Sequence, residues 1–178
     1  GIVEKTGEKT VYRIDRLGMP LIEIATDASI KDGAHAREVA EKIGLLLRSS
    51  GIAARGIGSI RQDLNVSVEG GARVEVKGAQ QLEMLDEWVE SEANRQRKML
   101  EVYAEIKKRK AEPASEKEIV DLTGIFSGTQ ANLISKGVAS GAKVLGLKMK
   151  NFAGILGTEI QKERRFGSEL SDYAKGAG

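Results

Sequence analysis

The chain has 178 residues, 40% of them apolar and 30% charged, and its 28 Lys and Arg nearly balance 26 Asp and Glu to leave a net charge of +2. That length holds one ordinary domain or two small ones with enough apolar content for a core, and the near balance gives no general argument for nucleic acid, so RNA contact must come from local patches. Cysteine is absent and histidine occurs once, which excludes disulfides and thiolate chemistry, speaks against a histidine-rich metal site or a Ser-His triad, and fits a reducing cytosol.

No run approaches the length of a membrane span, and the N-terminus lacks a signal-like apolar block. A start at Gly1-Ile2-Val3 and an end at Lys175 to Gly178 read as a piece of something longer. Glu4 to Thr10 is polar and turn-like. Val11 to Asp15 alternates as a short strand, and Pro20 to Thr26 (PLIEIAT) suggests another by its β-branched content. A loop from Arg16 to Pro20 would join them into a hairpin, with Tyr12, Ile14, Ile22 and Ile24 on one face and Arg13 opposite Glu23 on the other.

A helix follows, with Asp32 as N-cap and Gly51 as its stop. Ala36, Val39, Ala40, Ile43, Leu46 and Leu47 recur at helical spacing and form the stripe that covers a sheet. His35 sits off that stripe and reads as a surface residue.

Ile57 to Gly78 carries the most informative pattern. Ile60, Leu64, Val66 and Val68 alternate with Arg61, Asp63, Asn65 and Ser67, and after Glu69-Gly70-Gly71 a second limb alternates Ala72, Val74 and Val76 with Arg73, Glu75 and Lys77. Two such runs around a Gly-Gly turn predict a β-hairpin. An odd loop keeps both apolar sets on one face, so the loop is Glu69 to Gly71, which places Ser67 opposite Arg73, Asn65 opposite Glu75 and Asp63 opposite Lys77. The polar face then mixes arginines, carboxylates, a lysine, an amide and a hydroxyl. An ordinary wet face with cross-strand ion pairs accounts for that pattern. So does a site for phosphate and metal chemistry, which needs anionic ligands and cationic clamps together.

Gln80 to Lys110 reads as one long helix with an apolar stripe of Leu82, Leu85, Val89, Met99, Tyr103 and Ile106, joined by Leu100 and flanked by Trp88. Its basic end, Lys107 to Lys110, either touches RNA phosphates or completes the helix dipole. Pro113 ends it, and a new unit opens at Ser115: a strand at Glu118 to Leu122, a helix at Gln130 to Ala139 and a strand at Lys143 to Met149. FAGILG (152–157) and the Arg164 to Gly167 stretch read as tight turns or phosphate cradles without a P-loop or Rossmann pattern, the latter leading into a short helix capped by Ser168.

PLIEIAT, the helix after it, GSIRQDLNVSV, ARVEVKG and the long helix resemble, in order, the catalytic cradle shared by the B and E subunits of tRNA-dependent amidotransferases. DLTGIFSGT, KVLGLKM, FAGILG and RRFGSELSDYAK resemble the insert that the archaeal-type E subunits share with bacterial-type aspartyl-tRNA synthetases and that the B subunits lack. The combination resembles the archaeal-type E subunits. Strand pairs joined by amphipathic helices already make an α+β layer, and the resemblance implies an antiparallel sheet cradle with covering helices and a long helix over 1–112 and part of a small α+β insert over 113–178.

The resemblance further implies a cytoplasmic ATP-dependent ligase that phosphorylates the side-chain carboxylate of glutamate on Glu-tRNA(Gln). Ammonia from an asparaginase-like D subunit then displaces phosphate, within a heterodimer or larger assembly. Glu75 matches the position that helps hold Mg²⁺. Arg61, Ser59 and Lys77 match positions that bind phosphates, ATP or the aminoacylated tRNA end, with Asp63 and Asn65 positioning them. Pro20, Glu23 and Thr26 lie in the matching strand. Two departures stand against this. Gly56-Ile57 replaces an acidic residue usual in B subunits, and the family's upstream metal-ligand segment and C-terminal helical domains are not in this stretch, which alone is expected not to turn over. The rival expectation is a non-catalytic RNA-docking or scaffold piece.

Overall fold

The computed structural model describes residues 1–15, 17–56 and 58–177, and the chain divides into two compact units, Gly1–Lys31 and Asp32–Gly178. Helices and two-stranded antiparallel ladders make it α+β, as the sequence pattern predicts. Among the described residues no helix is long and apolar enough to cross a membrane.

In the first unit β1 (Ile2–Lys5) pairs antiparallel with β2 (Thr10–Tyr12). Thr6 closes their turn: its N–H donates to the Lys9 carbonyl at 2.9 Å, and its hydroxyl oxygen accepts from the Lys9 N–H at 3.2 Å. The predicted pairing of 11–15 with 20–26 is therefore corrected, because Val11 ladders with Glu4, inside the stretch that reads as polar turn, and Tyr12 with Ile2. Among the described residues Pro20–Thr26 forms no strand, and no ion pair joins Arg13 to Glu23. A short loop held by Thr6 closes at small entropic cost, whereas Pro20 lacks an N–H to offer a ladder. Leu21 and Ile22 stay 82% and 75% exposed. The loop expected from Arg16 to Pro20 begins at a residue outside those described.

The second unit opens with the predicted helix, α1 (Gly33–Ser49). The Asp32 carboxylate accepts from the His35 N–H at 2.8 Å, satisfying one of the first-turn donors. Ala36 is buried and Val39, Ala40, Ile43 and Leu47 are half-buried, but Leu46 is 69% exposed and falls off the stripe. His35 is half-buried rather than on the surface. Past the end of α1, Gly51 takes φ +70, a left-handed conformation suited to a helix stop. Asp32→Ala is expected to cost about 1 kcal/mol of stability, read as a lower urea midpoint with unchanged slope.

The hairpin forms with the register that parity predicts. In it β3 (Leu64–Val66) pairs antiparallel with β4 (Val74–Val76), with Asn65 opposite Glu75. Gly71 N–H donates to the Val68 carbonyl at 2.9 Å, and Gly70 at φ +76 makes the turn. The ladder is shorter than the alternation suggests. Toward its open end the Asp63 carboxylate accepts the Gly78 N–H at 2.7 Å, and Ala79 N–H donates to the Gln62 carbonyl at 3.0 Å. Val66 is buried with Leu64, Val74 and Val76 half-buried, while Ala72 is exposed. Ile57, the first residue of the predicted stretch, lies outside those described.

A 3₁₀ turn (Leu82–Met84) leads into α2 (Leu85–Lys108), whose 24 residues span about 36 Å. Its stop precedes Pro113: Lys110 adopts φ +51, and the Asn151 amide donates to the carbonyls of Arg109 (3.0 Å) and Lys110 (3.4 Å). Tyr103 leaves the predicted stripe and is 55% exposed, with the Lys107 ammonium 5.1 Å from its ring centroid.

Beyond α2, β5 (Ile119–Asp121) and β6 (Leu145–Leu147) pair antiparallel around α3 (Asn132–Ala139), the predicted strand-helix-strand order. Two strands the periodicity does not reveal, β7 (Glu159–Gln161) and β8 (Arg164–Arg165), form a small ladder that runs directly into α4 (Phe166–Ala177). Ser168 therefore lies inside that helix and does not cap it. FAGILG is a tight turn, with Gly154 at φ +81 and Ile155 buried. Val102 of α2 packs with Ile155, Ile160 and Phe166 in the core, and Met99, Ile106 and Phe152 lie against them.

Candidate functional site

Strand alternation puts Asn65, Ser67, Arg73 and Glu75 on the exposed face of the hairpin, opposite Val66. Three charged groups meet there. The Lys77 ammonium lies 2.9 Å from Glu75 Oε1 and 3.7 Å from Asp63 Oδ2. Its hydrogen bond to Glu75, with the charges of Glu75 and Asp63, holds Lys77 above the usual lysine range, so it is a fixed cation at neutral pH.

Asn65 stands opposite Glu75, so four of the sequence-predicted site residues share one face or one charge cluster. Two others do not join them. Ser59 turns its hydroxyl onto the Gly56 carbonyl at 2.7 Å, and Arg61 is exposed with no charge partner among the described residues. Pro20, Glu23 and Thr26 are exposed residues of the first unit. Among the described residues no group of three or more His, Cys, Asp or Glu converges to hold a metal. Asp63 and Glu75 do offer hard oxygens to one cation, which is the donor set Mg²⁺ takes when phosphates and water complete its shell.

Beside this cluster opens a cleft of about 220 Å³ whose walls include Val76, Lys77, Ala79, Trp88, Ser91 and Gln161. The Gln161 amide donates to the Ser91 hydroxyl at 2.7 Å and closes one side of it.

Beneath the hairpin lies a network that the apolar stripe conceals. Glu92, Gln96 and Glu169 are 8%, 5% and 8% exposed. Arg95 donates to both Glu92 oxygens (2.8 and 2.9 Å) and to Glu169 Oε1 at 3.0 Å, and Arg164 reaches the other Glu169 oxygen at 2.7 Å. Such bidentate, charge-assisted pairing is what a buried carboxylate needs. Burial pushes the Glu92 carboxyl up, but the hydrogen bonds from Arg95 and Gln96 and the Arg95 charge outweigh it and hold Glu92 below the usual glutamate range. The sequence did carry a signal. Between Val89 and Met99 the α2 stripe has no large apolar residue, and Glu92, Ala93 and Gln96 occupy the inward positions of that gap.

The sequence matches the GatB/GatE catalytic domain over residues 2–168. It is 48% identical over 176 residues to the E subunit of the glutamyl-tRNA(Gln) amidotransferase of Methanosarcina barkeri, covering 99% of this chain and 27% of that protein. The corresponding E subunit of Thermococcus sibiricus is 47% identical over 176 residues (98% of this chain, 28% of that protein), and that of Haloarcula marismortui 46% over 178 residues (99% and 28%). The chain thus spans little more than a quarter of the length of these curated relatives. With the hairpin and α2 both inside the matched region, the chain belongs to the GatB/GatE catalytic domain family.

Proposed function

We propose that this chain is part of the catalytic subunit of a glutamyl-tRNA(Gln) amidotransferase and that the polar hairpin face contributes to ATP-dependent activation of the glutamyl side chain. In the first step a carboxylate oxygen of Glu-tRNA(Gln) attacks the γ-phosphorus of ATP, and ADP leaves. In the second, ammonia attacks the acyl carbon, phosphate leaves with the bonding pair, and a proton is lost to give the amide. Little covalent chemistry falls to the protein, so its residues must place and neutralise phosphate charge.

The observation that carries this reading is the Lys77 ammonium held between Glu75 and Asp63 at the end of the hairpin ladder, in a chain 48% identical to a subunit named for this activity. Lys77 would clamp a phosphate oxygen, and Asn65 and Arg61 would orient the phosphates or the aminoacylated tRNA end from the same hairpin. Ser59 would join them once its hydroxyl leaves the Gly56 carbonyl. Glu75 and Asp63 would hold Mg²⁺, which supplies neutralisation of the charge that develops on the phosphoryl oxygens. Ammonia would come from a partner subunit with asparaginase-like chemistry, and the assembly, a heterodimer or larger, would work in the cytoplasm.

Single-turnover transfer of the γ-phosphoryl group of ATP to Glu-tRNA(Gln), by the full-length subunit with its partner, tests the reading. Lys77→Met is expected to slow transfer by roughly a hundredfold to a thousandfold, the range for loss of one positioned electrostatic group, with tRNA affinity unchanged. An unchanged transfer rate would reduce the face to a wet side of a sheet.

A further inference from the structure

The edge of β3 that does not pair with β4 is occupied by a side chain. The Gln96 amide nitrogen donates to the Val66 carbonyl at 3.0 Å, while its oxygen accepts the Val68 N–H at 3.1 Å. One carbonyl and the N–H two residues later, both bonded to a single amide, is the pattern a neighbouring parallel strand makes. Gln96 thus supplies the N–H and the carbonyl that one residue of a missing third strand would offer.

Gln80 repeats the device farther along the same chain. In the orientation that satisfies both of its ends, its amide donates to the Ile60 carbonyl at 3.1 Å and accepts the Gln62 N–H at 3.1 Å. Gln96 has no freedom to slide, because its nitrogen also donates to Glu92 Oε1 at 2.9 Å, and Glu92 is locked by Arg95, which Glu169 of α4 holds in turn. The turn leaves no slack either, since a Cβ on Gly71 would sit 2.8 Å from Gln96 Oε1.

We propose that Gln96 is a positioning residue for the hairpin site: it fixes the height and register of β3, and through the Asn65–Glu75 pair it sets where the Glu75 carboxylate and the Lys77 ammonium stand. A two-stranded ladder with three residues a side is marginal alone. Glu75 and Lys77 are exposed and have little packing of their own, so their placement depends on the backbone beneath them. Gln96 touches no substrate atom in this scheme. It acts through Val66 and Val68, and the inference rests on the proposed role of the hairpin face.

The test uses the full-length subunit with its partner and compares Gln96→Leu, which keeps the bulk and loses the hydrogen bonds to Val66, Val68 and Glu92, with Glu75→Gln and wild type. Gln96→Leu is expected to raise the concentration of Mg·ATP giving half-maximal amidation about tenfold, with the half-saturating tRNA concentration unchanged. Exchange of the Val68 amide should accelerate by about tenfold, the usual scale of one hydrogen bond. Gln96→Met, unbranched and close to glutamine in length, likewise keeps the bulk without the hydrogen bonds, so it should match the leucine variant and decides the matter if that variant does not fold. A lower Tm in either variant with unchanged half-saturation by Mg·ATP would make Gln96 purely structural and overturn the inference. Should Glu75→Gln itself leave amidation intact, the reading of the hairpin face fails first, which separates the two failures.

Discussion

Glu75→Gln in the full-length subunit is expected to lower ATP-dependent amidation of Glu-tRNA(Gln) by about a hundredfold, the lower end of the range for removing one preorganised electrostatic group. The amide keeps the size and strand propensity of glutamate, so the ladder with Asn65 should persist and tRNA affinity should stay within about twofold. What disappears is the negative charge that faces Lys77 at 2.9 Å. The Mg²⁺ concentration for half-maximal rate should then rise, because one of two hard-oxygen donors has become a weaker neutral one. The Lys77 pKa should move down toward the ordinary lysine value, since the hydrogen bond and charge of Glu75 are the largest causes of its upward shift. Titration of Mg²⁺ dependence alongside NMR of the lysine ammonium reads both. Full activity with unchanged Mg²⁺ dependence would remove Glu75 from the site.

Arg95→Ala is expected to have the largest effect on stability, about 3–5 kcal/mol, because it leaves the buried Glu92 carboxylate without a cation and Glu169 with Arg164 alone. Glu92 and Glu169 have only 11% and 10% of their side chains exposed. Urea unfolding of this chain, followed through Trp88 on the wall of the adjoining cleft, measures the loss. A loss below about 1 kcal/mol would mean that the network adds little beyond a surface pair.

The same variant should reverse a pH dependence. In the wild type the native Glu92 pKa lies below the ordinary 4.5, so the native state binds fewer protons there than the unfolded chain. Its contribution is fully present above pH 4.5 and is lost as pH falls through the depressed native value. Without Arg95, burial dominates and raises the native pKa. The Glu92 contribution is then present below pH 4.5 and lost as pH rises through the raised value. Stability measured from about pH 3 to pH 7 separates the two slopes.

Much of the hairpin and of α1 was legible in the sequence because each is decided by nearest neighbours. Alternation around Gly70-Gly71 allows one parity, hence Asn65 opposite Glu75, and an aspartate before a helical stripe makes an N-cap wherever the stripe lies. The exposed polar face of the hairpin followed from the same rule. Elsewhere local preference misled. PLIEIAT has the composition of a strand, yet Tyr12 and Val11 found partners upstream, since a strand exists only when another backbone is free to pair with it. Likewise β7 and β8 are too short to show a period.

Consecutive residues were enough to mark the dry faces and the register in which the two limbs of the hairpin meet, because a side-chain period of two or 3.6 belongs to the chain itself. It took the packed molecule to reveal that the dry face of α2 carries Glu92, Arg95 and Gln96 at its centre. Polar residues are stable there through partners distant in sequence: Gln96 on a backbone 28 and 30 residues away, Arg95 on a carboxylate 74 residues away. A buried charge is tolerated when its counter-charge arrives in space, and no periodicity along the chain reports where that counter-charge comes from.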